Sequence, residues 1–470
     1  MRWVCILLPQ LALDDVLRRR SDPQAPLALI AGTPQRRMLR AVNAAARQLG
    51  LRPGQSLAAA QALSRDFASA EYDPARIEYC QRLLAAWAYR FSSQVSLHYA
   101  RAVLLEVESS LALLGPWPRL EARLREELGG LGFRHRIVAA PNPAAARVLV
   151  NAHDGLVVTD TAALPQVLGA LPVERSGLPA EVAANLSRMG LRRLHQVLAL
   201  PRDGLARRFP EDVLQHLDTL LGRRALALQC YRPPDRFEAR IELNFDVQSH
   251  QALLFPLRRL TADLAAFLAG RDSGVQRFTL CLEHAGAGET RLPVGLLGVE
   301  REPAMLFEVA RGRLERLQLQ APVQAVRLLA DELPPFAPTH RELFVERAQP
   351  SQPWEQLRER LRARLGDQAV QQLAALADHR PEHAWLRGEP GPPPALPATA
   401  RPGWLLAQPL PLEQGRPRIL AGPERIESGW WDGGDMRRDY YLVETRGGQL
   451  GWAYRRVGEA GPLILQGWFA

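Results

Sequence analysis

Met1-Arg-Trp-Val-Cys-Ile-Leu-Leu-Pro9 opens the chain. From Trp3 to Leu8 it is a strand-length apolar run of the kind buried on both faces, and Pro9 ends it because proline cannot donate to a ladder. The run is too short for a secretory core, and the polar Asp14-Asp15 and Arg18-Arg19-Arg20 follow at once, so no signal peptide is expected. Nothing elsewhere approaches the ~20 apolar residues of a membrane span, and the expected location is the cytoplasm.

Further elements follow outward from that strand. Pro26–Ala31 reads as a second strand, and Gln35–Gly50, Gln55–Ser64 and Pro74–Phe91 read as helices. Ala102–Val107 is a strand with both faces covered. Helices at Leu120–Leu131 and Pro143–Asn151 flank a strand at Arg136–Ala140. Thr161–Leu221 is helical throughout, with tight turns marked by Gly190 and Gly204. After Arg232-Pro-Pro-Asp235 the order strand, helix, strand, strand, helix, strand runs from Glu238 to Leu329, a small α+β domain. An Arg/Glu-rich helix is expected over Trp354–Leu376 and a Pro/Gly-rich linker over Gly388–Pro402. The remainder, Trp404–Ala470, holds five of the ten tryptophans and reads as a small β unit.

A chain of 470 residues is too long for one core and points to about three domains. The formal charge is +9, and every one of the 59 basic residues is arginine. Guanidinium groups bind phosphate bidentately and stay charged, so such a surface suits nucleic acid; a codon bias towards arginine is the other source of that composition. The four cysteines lie far apart, without paired spacing for zinc or redox work. The pair His379 and His383 is broken by Pro381, so neither a metal nor a cofactor is expected.

Four local patterns, in order, resemble the Y-family (translesion) DNA polymerases. The first strand sits where that family carries a metal-binding aspartate, but the matching positions are Leu7 and Pro9. Arg47-Gln-Leu-Gly-Leu-Arg-Pro-Gly54 resembles the fingers motif; Arg47 is the remnant of the triphosphate contact, and the expected tyrosine is Ala44. Leu104-Leu-Glu-Val-Glu108 resembles the strand after an adjacent Asp-Glu pair, which here falls on Arg101 and Ala102. Ala140-Pro-Asn142 with Ala144–Val150 resembles the palm loop and helix, with Pro143 in place of a lysine. Phosphoryl transfer needs two or three carboxylates to hold a pair of divalent cations, and hydrocarbon and arginine cannot do so. The polymerase-like catalytic positions are therefore lost, and no metal site is implied.

The resemblance implies an α+β multidomain chain: palm-like 1–20 and 80–160, fingers-like 21–79, a helical thumb with helix-hairpin-helix turns over 161–231, and a little finger over 236–345. A clamp-motif segment, helix and linker occupy 346–402, and a C-terminal aromatic-rich module occupies 403–470. DNA contacts are expected from Arg192, Arg193, Arg207 and Arg208 at the helical turns, and from Arg240 and Arg277, which with Arg291 lie on or at the ends of the little-finger strands. A plain helical bundle with solvated arginines is the other reading of the thumb. Gln349-Pro-Ser-Gln-Pro-Trp354 resembles the sliding-clamp hexapeptide, with Gln349, Trp354 and, in place of leucine, Gln352 at its motif positions; a linker running into the Trp354 helix is the other reading, and Gln408–Leu412 is a weaker candidate.

Gly422-Pro-Glu-Arg-Ile-Glu-Ser-Gly-Trp-Trp-Asp-Gly-Gly434 through Arg437-Arg-Asp-Tyr-Tyr441 resembles the C-terminal signature of the ImuB (inducible-mutagenesis B) family, and Pro9–Leu13 fits it too. This extends the resemblance over the whole chain. It implies a catalytically inactive adaptor that binds DNA, the β sliding clamp, a RecA-like partner (ImuA) and an error-prone C-family DNA polymerase. Protein docking is expected at Trp430, Trp431, Tyr440 and Tyr441. The alternative is an active, divergent translesion polymerase using Asp14, Glu106 or Glu108. Against it, Asp14 is expected to cap a helix, and Glu106 and Glu108 to share one face of their strand as edge or partner contacts.

Overall fold

The structure, a computed structural model, describes residues 2–20, 22, 24–286, 288–337, 354–366, 368–387, 399–412 and 417–469. The chain divides into two compact units, Met1–Arg364 and Leu365–Ala470.

The first unit starts with β1 (Trp3–Leu7), α1 (Leu11–Leu17), β2 (Leu27–Ala31), β3 (Met38–Val42), α2 (Ala44–Gln48), α3 (Leu57–Leu63) and β4 (Ala68–Glu71). It continues with α4 (Pro74–Ala88), β5 (Val95–Ser96), β6 (Ala102–Glu106), α5 (Leu111–Leu114), α6 (Trp117–Gly130), β7 (Arg136–Ala140) and α7 (Pro143–Leu149). One sheet has the order β5-β6-β1-β7. β1 is central and pairs antiparallel with both neighbours, which is why it has no polar face. Val4, Ile6 and Leu8 enter a layer with α4 and α6. Trp3, Cys5 and Leu7 enter another with α7 and the helices that follow.

A smaller sheet, β3-β2-β4, packs nearby. Here the expected helix over Gln35–Gly50 is wrong, because Met38–Val42 pairs with β2. The Asn43 side chain sets the break: it accepts from the Ala46 and Leu27 amides at 2.9 and 3.1 Å and donates to the Ala25 carbonyl. A helix can begin only after that cap.

Next come α8 (Leu164–Gly169), α9 (Ala180–Arg188), α10 (Leu194–Leu198), α11 (Arg202–Arg208) and α12 (Glu211–Leu220). A sheet with two helices follows: β8 (Phe237–Val247), α13 (His250–Gly270), β9 (Val275–His284), β10 (Glu289–Glu300), α14 (Pro303–Glu315) and β11 (Val323–Ala330). Its strand order is β10-β9-β11-β8. Leu83 and Ala86 of α4 share the core beneath it, and α13 lies so close to α4 that a Cβ on Gly270 would fall 1.8 Å from the Ala86 carbonyl oxygen. α15 (Trp354–Leu365) stops well short of Leu376. Gly366 has φ +105, a conformation that ends helices, and Leu373–Ala375 is instead β12, paired with β13 (Trp385–Arg387).

The second unit ends in β14 (Trp404–Pro411), β15 (Arg418–Ser428), β16 (Met436–Glu444), β17 (Leu450–Arg456) and β18 (Ile464–Trp468), in the order β14-β18-β17-β16-β15. Tyr440 stacks on Trp452 with centroids 4.0 Å apart, and both are buried with Ile426, Met436 and Tyr454.

Candidate functional site

The ends of β1 and β6 meet at one point. Leu7 pairs with Ala102, and the Leu8 amide donates to the Arg101 carbonyl at 2.8 Å. The four positions singled out from the sequence, Leu7, Pro9, Arg101 and Ala102, are thus neighbours. Leu7 and Ala102 are buried. Arg101 is exposed, has φ +56 and donates from Nη1 to the Pro9 carbonyl at 3.3 Å.

Above this point lies a cleft of about 430 Å³ lined by Pro9–Leu13, Tyr72 and Ile77, by Arg40 of β3, Arg47 of α2, and Arg101. None of its lining residues is a carboxylate. Three guanidiniums and no carboxylate line this space, a setting that favours an anion over a divalent cation. Arg47 is among the lining residues; Arg40 was not foreseen, and its alternation with buried Leu39 in a strand was the available signal.

The acidic residues that could rescue metal binding are committed elsewhere. Asp14 does not cap α1; it lies within that helix, buried, and accepts the Arg134 amide at 3.0 Å. Burial pushes its carboxyl up to about 6 despite that hydrogen bond and the charges of Arg134 and Arg18. Asp15 is also buried. Burial alone would raise it, but Arg19 and Arg76 outweigh that and hold it below its ordinary range. Glu106 sits at the other end of β6, opposite Trp3, about 13 Å from Ala102 at ~3.3 Å per residue. It accepts the Arg2 and Glu108 amides and the Ser109 hydroxyl at 3.3, 3.0 and 2.9 Å. Glu108 lies beyond the strand, so the two do not share a strand face; it pairs with Arg2 at 3.5 Å.

The raised Asp14 carboxyl has a consequence for stability. Its folded pKa of about 6 lies above the unfolded value of ~3.9, so the folded state takes up a proton between those values and stability falls as pH rises through that window. Asp14→Asn removes the penalty while keeping an acceptor for the Arg134 amide. The variant is expected to be more stable than wild type at pH 8 by about 1–2 kcal/mol, the gain vanishing below about pH 4. Equal melting temperatures at pH 8 would contradict this.

The helical region leaves Arg192 and Arg193 exposed at the turn before α10, and Arg207 and Arg208 exposed not at a turn but in the last helical turn of α11. Gly190, at φ +85, makes the first turn. The second expectation fails, since Gly204 lies inside α11 and the chain turns at Phe209-Pro210. At the first turn the Gln196 Oε1 accepts both the Arg192 and Arg193 amides, at 2.8 and 2.9 Å, so a phosphate there must compete with Gln196. Arg193 also donates to the Ala170 carbonyl. Arg207 and Arg208 have no ion-pair partner among the described residues.

On the exposed face of the β8–β11 sheet, cross-strand register sets Arg240, Arg327, Cys281 and Arg291 in one row. The rows on either side carry Glu242, Glu283 and Glu289, and Glu238. Arg240 pairs with Glu283 at 2.9 Å and Glu242 at 3.4 Å. Arg291 pairs with Glu289 at 2.6 Å, and Arg327 with Glu238, Glu283 and Glu289. Three arginines thus meet four glutamates, and this patch is not basic. Arg277 lies on the same face without an ion-pair partner among the described residues.

Gln349 and Gln352 lie outside the described residues, and Trp354 is the first residue of α15 with 59% of its surface exposed. Gln408–Leu412 runs through and just past β14. In the second unit Trp430 and Trp431 are 77% and 59% exposed and meet edge to face at 5.7 Å. Their turn is held in place: Arg380 pairs with Asp432 at 2.6 Å and Asp378 at 2.7 Å. A Cβ on Gly429 would fall 2.4 Å from the Gly434 carbonyl oxygen. Tyr440 is a correction. It is core, and its hydroxyl donates to Gln466 Oε1 at 2.6 Å, so it is not a docking side chain. Tyr441 is only half-buried.

Residues 16–151 match the impB/mucB/samB family. The chain is 28% identical over 444 residues to Protein ImuB from two strains of Caulobacter vibrioides, covering 87% of this chain and 96% of that protein. Among solved structures, DinB from Sulfolobus solfataricus matches with TM-score 0.42 and 14% identity, over 71% of this chain and 99% of that one. An insertion ternary complex of Dbh DNA polymerase matches with the same TM-score, identity and coverage. No described helix is long and apolar enough to cross a membrane.

Proposed function

We propose that this chain, a relative of ImuB with a Y-family polymerase-like domain, is a non-catalytic DNA-binding adaptor. In this reading it links the sliding clamp to an error-prone polymerase during damage-induced translesion synthesis and mutagenesis. The observation that carries it is the cleft beside the point where Leu7 and Ala102 pair, which Pro9 and Arg101 line and in which no lining residue is a carboxylate. A polymerase site without hard oxygen ligands lacks the means to place metal ions between primer and nucleotide.

DNA is held in this proposal by backbone charge, through Arg192, Arg193, Arg207, Arg208 and Arg277. Arg240 is a weaker candidate than the sequence suggested, because a phosphate would have to displace Glu283 and Glu242 from it. Trp430 and Trp431 form the docking surface for a protein, since large exposed aromatics on a fixed turn bind with little ordering cost. The RecA-like ImuA and the C-family polymerase are its candidate partners. The cytoplasm is the compartment this role requires.

The clamp link has its own test. Replacing Gln349 and Trp354 together by alanine is expected to weaken binding to immobilised β clamp by about ten-fold or more, since buried aromatic anchors dominate such interfaces. DNA affinity should stay unchanged. Undiminished clamp capture would remove this segment from the adaptor role.

A further inference from the structure

A second recess, about 660 Å³ in volume, lies where the chain between α12 and β8 passes α4. Its lining includes Tyr79, Tyr231, Phe237 and Phe267, the arginines Arg82, Arg232 and Arg236, and one carboxylate, Glu238. Phe237 and Phe267 are buried and tilted against each other at 5.2 Å. The crossing segment is tied down at both ends. The Tyr231 amide donates to the Val95 carbonyl at 2.7 Å, and Arg271 donates to the Pro233 carbonyl at 3.0 Å and to Asp235 at 2.8 Å. The recess is therefore preformed and needs little ordering to bind.

Its charges set it apart from the neighbouring sheet face. There Arg240, Arg291 and Arg327 are neutralised by glutamates; in the recess Arg82 is paired with Glu78 and Glu238 with Arg327, whereas Arg232 and Arg236 are exposed and have no ion-pair partner among the described residues. Arg82 lies close enough to Tyr231 to pull its phenol back down against the rise that burial imposes. A partly exposed Tyr231 ring flanked by two unpaired guanidiniums fits a ligand that offers a flat π-face and an anion at one-residue spacing. Single-stranded nucleic acid has both; a duplex keeps its bases stacked and out of reach.

We infer that this recess holds an unpaired nucleotide of single-stranded DNA, its base against the half-buried Tyr231 ring, which packs on the core that contains Phe237 and Phe267, and its flanking phosphates on Arg232 and Arg236. The inference rests on the DNA-binding reading above and adds to it a second, strand-selective binding point away from the cleft. No bond is made or broken there.

The test uses the full chain and fluorescence anisotropy with two labelled probes, a short oligo(dT) strand and a duplex. Arg232→Glu with Arg236→Glu, and separately Tyr231→Ala, are expected to weaken oligo(dT) binding by about ten-fold or more. Duplex binding should stay within about two-fold, and Tyr231→Phe, which keeps the ring, should bind oligo(dT) as wild type does. An equal loss on both probes would reduce the arginines to diffuse charge and overturn the site. No loss on either probe would leave the recess without a role in DNA binding. Loss of binding to an acidic, tryptophan-containing peptide with oligo(dT) binding intact would make it a peptide groove instead. A wild-type chain that binds neither probe would sink the DNA-binding reading itself, which distinguishes that failure from failure of the recess.

Discussion

Asp263→Ala destabilises the first unit by about 3–5 kcal/mol, and by more than Arg18→Met does. Asp263 on α13 and Arg18, just past α1, form an ion pair in which both side chains are buried. Arg18 also lies over the Phe133 ring at 4.5 Å, and Arg259 donates to the Arg18 carbonyl at 3.2 Å and the Leu131 carbonyl at 3.0 Å. Burial pushes the Asp263 carboxyl up, against the pull of Arg18 and Arg259, so its charge depends on those guanidiniums. The two partners fail differently when left alone. Without Arg18 the carboxyl can take a proton and become neutral. Without Asp263 the guanidinium has no such escape, because arginine keeps its proton at any accessible pH.

The loss in Arg18→Met should therefore depend on pH. It is present above the ordinary carboxylate range, where unfolding lets Asp263 ionise, and is relieved as pH falls towards about 4. The loss in Asp263→Ala should change the other way, being largest at low pH and smaller above the carboxylate range, because the raised wild-type carboxyl carries a penalty there that the variant lacks. Replacing both, as Arg18→Met with Asp263→Leu, should recover most of the stability, since a packed apolar pair often matches a buried ion pair. Urea midpoints for the four proteins at pH 8 and pH 5 measure all of this. Equal losses in the two single variants, unchanged by pH, would show that packing and not charge dominates at this site.

The second large effect concerns DNA. Arg207→Glu with Arg208→Glu is expected to lower duplex affinity by about 100-fold at low salt and to flatten the plot of log affinity against log salt by about two units. Each phosphate no longer neutralised by an arginine takes roughly 0.9 from the slope, and reversal of sign adds repulsion. Both residues are exposed and free of ion pairs among the described residues, so folding should be untouched. By contrast Arg240→Ala should change affinity by no more than about two-fold, because Glu283 and Glu242 already neutralise it. Equal effects from the two variants would contradict the division between paired and unpaired arginines.

Several of these distinctions were visible in the sequence and others were not, for identifiable reasons. The run Trp3–Leu8 has no polar positions, and that pattern alone required a strand covered on both faces, as β1 is. The absence of carboxylates at Leu7, Pro9, Arg101 and Ala102 was equally legible, because it needs only the order of local motifs. Asn43 looked like one more polar residue in a helix, yet its three side-chain hydrogen bonds fix where that helix begins. Those partners lie up to 18 residues away, beyond the reach of periodicity.

The neutralisation of Arg240 is a matter of register. Glu283 is 43 residues distant in the chain and becomes its neighbour only once β8, β11 and β9 are aligned. Tyr440 and Trp430 are both aromatic residues of one segment, but Tyr440 lies in a strand with its ring on the core side and Trp430 on a turn. Composition cannot separate the two; strand alternation could have done so, since Met436 and Tyr440 fall on the same face.

The adaptor role requires that the arginine-lined cleft do no chemistry. Primer extension by the purified full chain, with a primed template, all four deoxynucleotides and saturating Mg²⁺ or Mn²⁺, measures this directly. Primer that stays unextended over background at every metal concentration is the predicted result. Extension that depends on the metal and on enzyme concentration, and that is lost when Glu106 and Glu108 are both replaced by alanine, would contradict it.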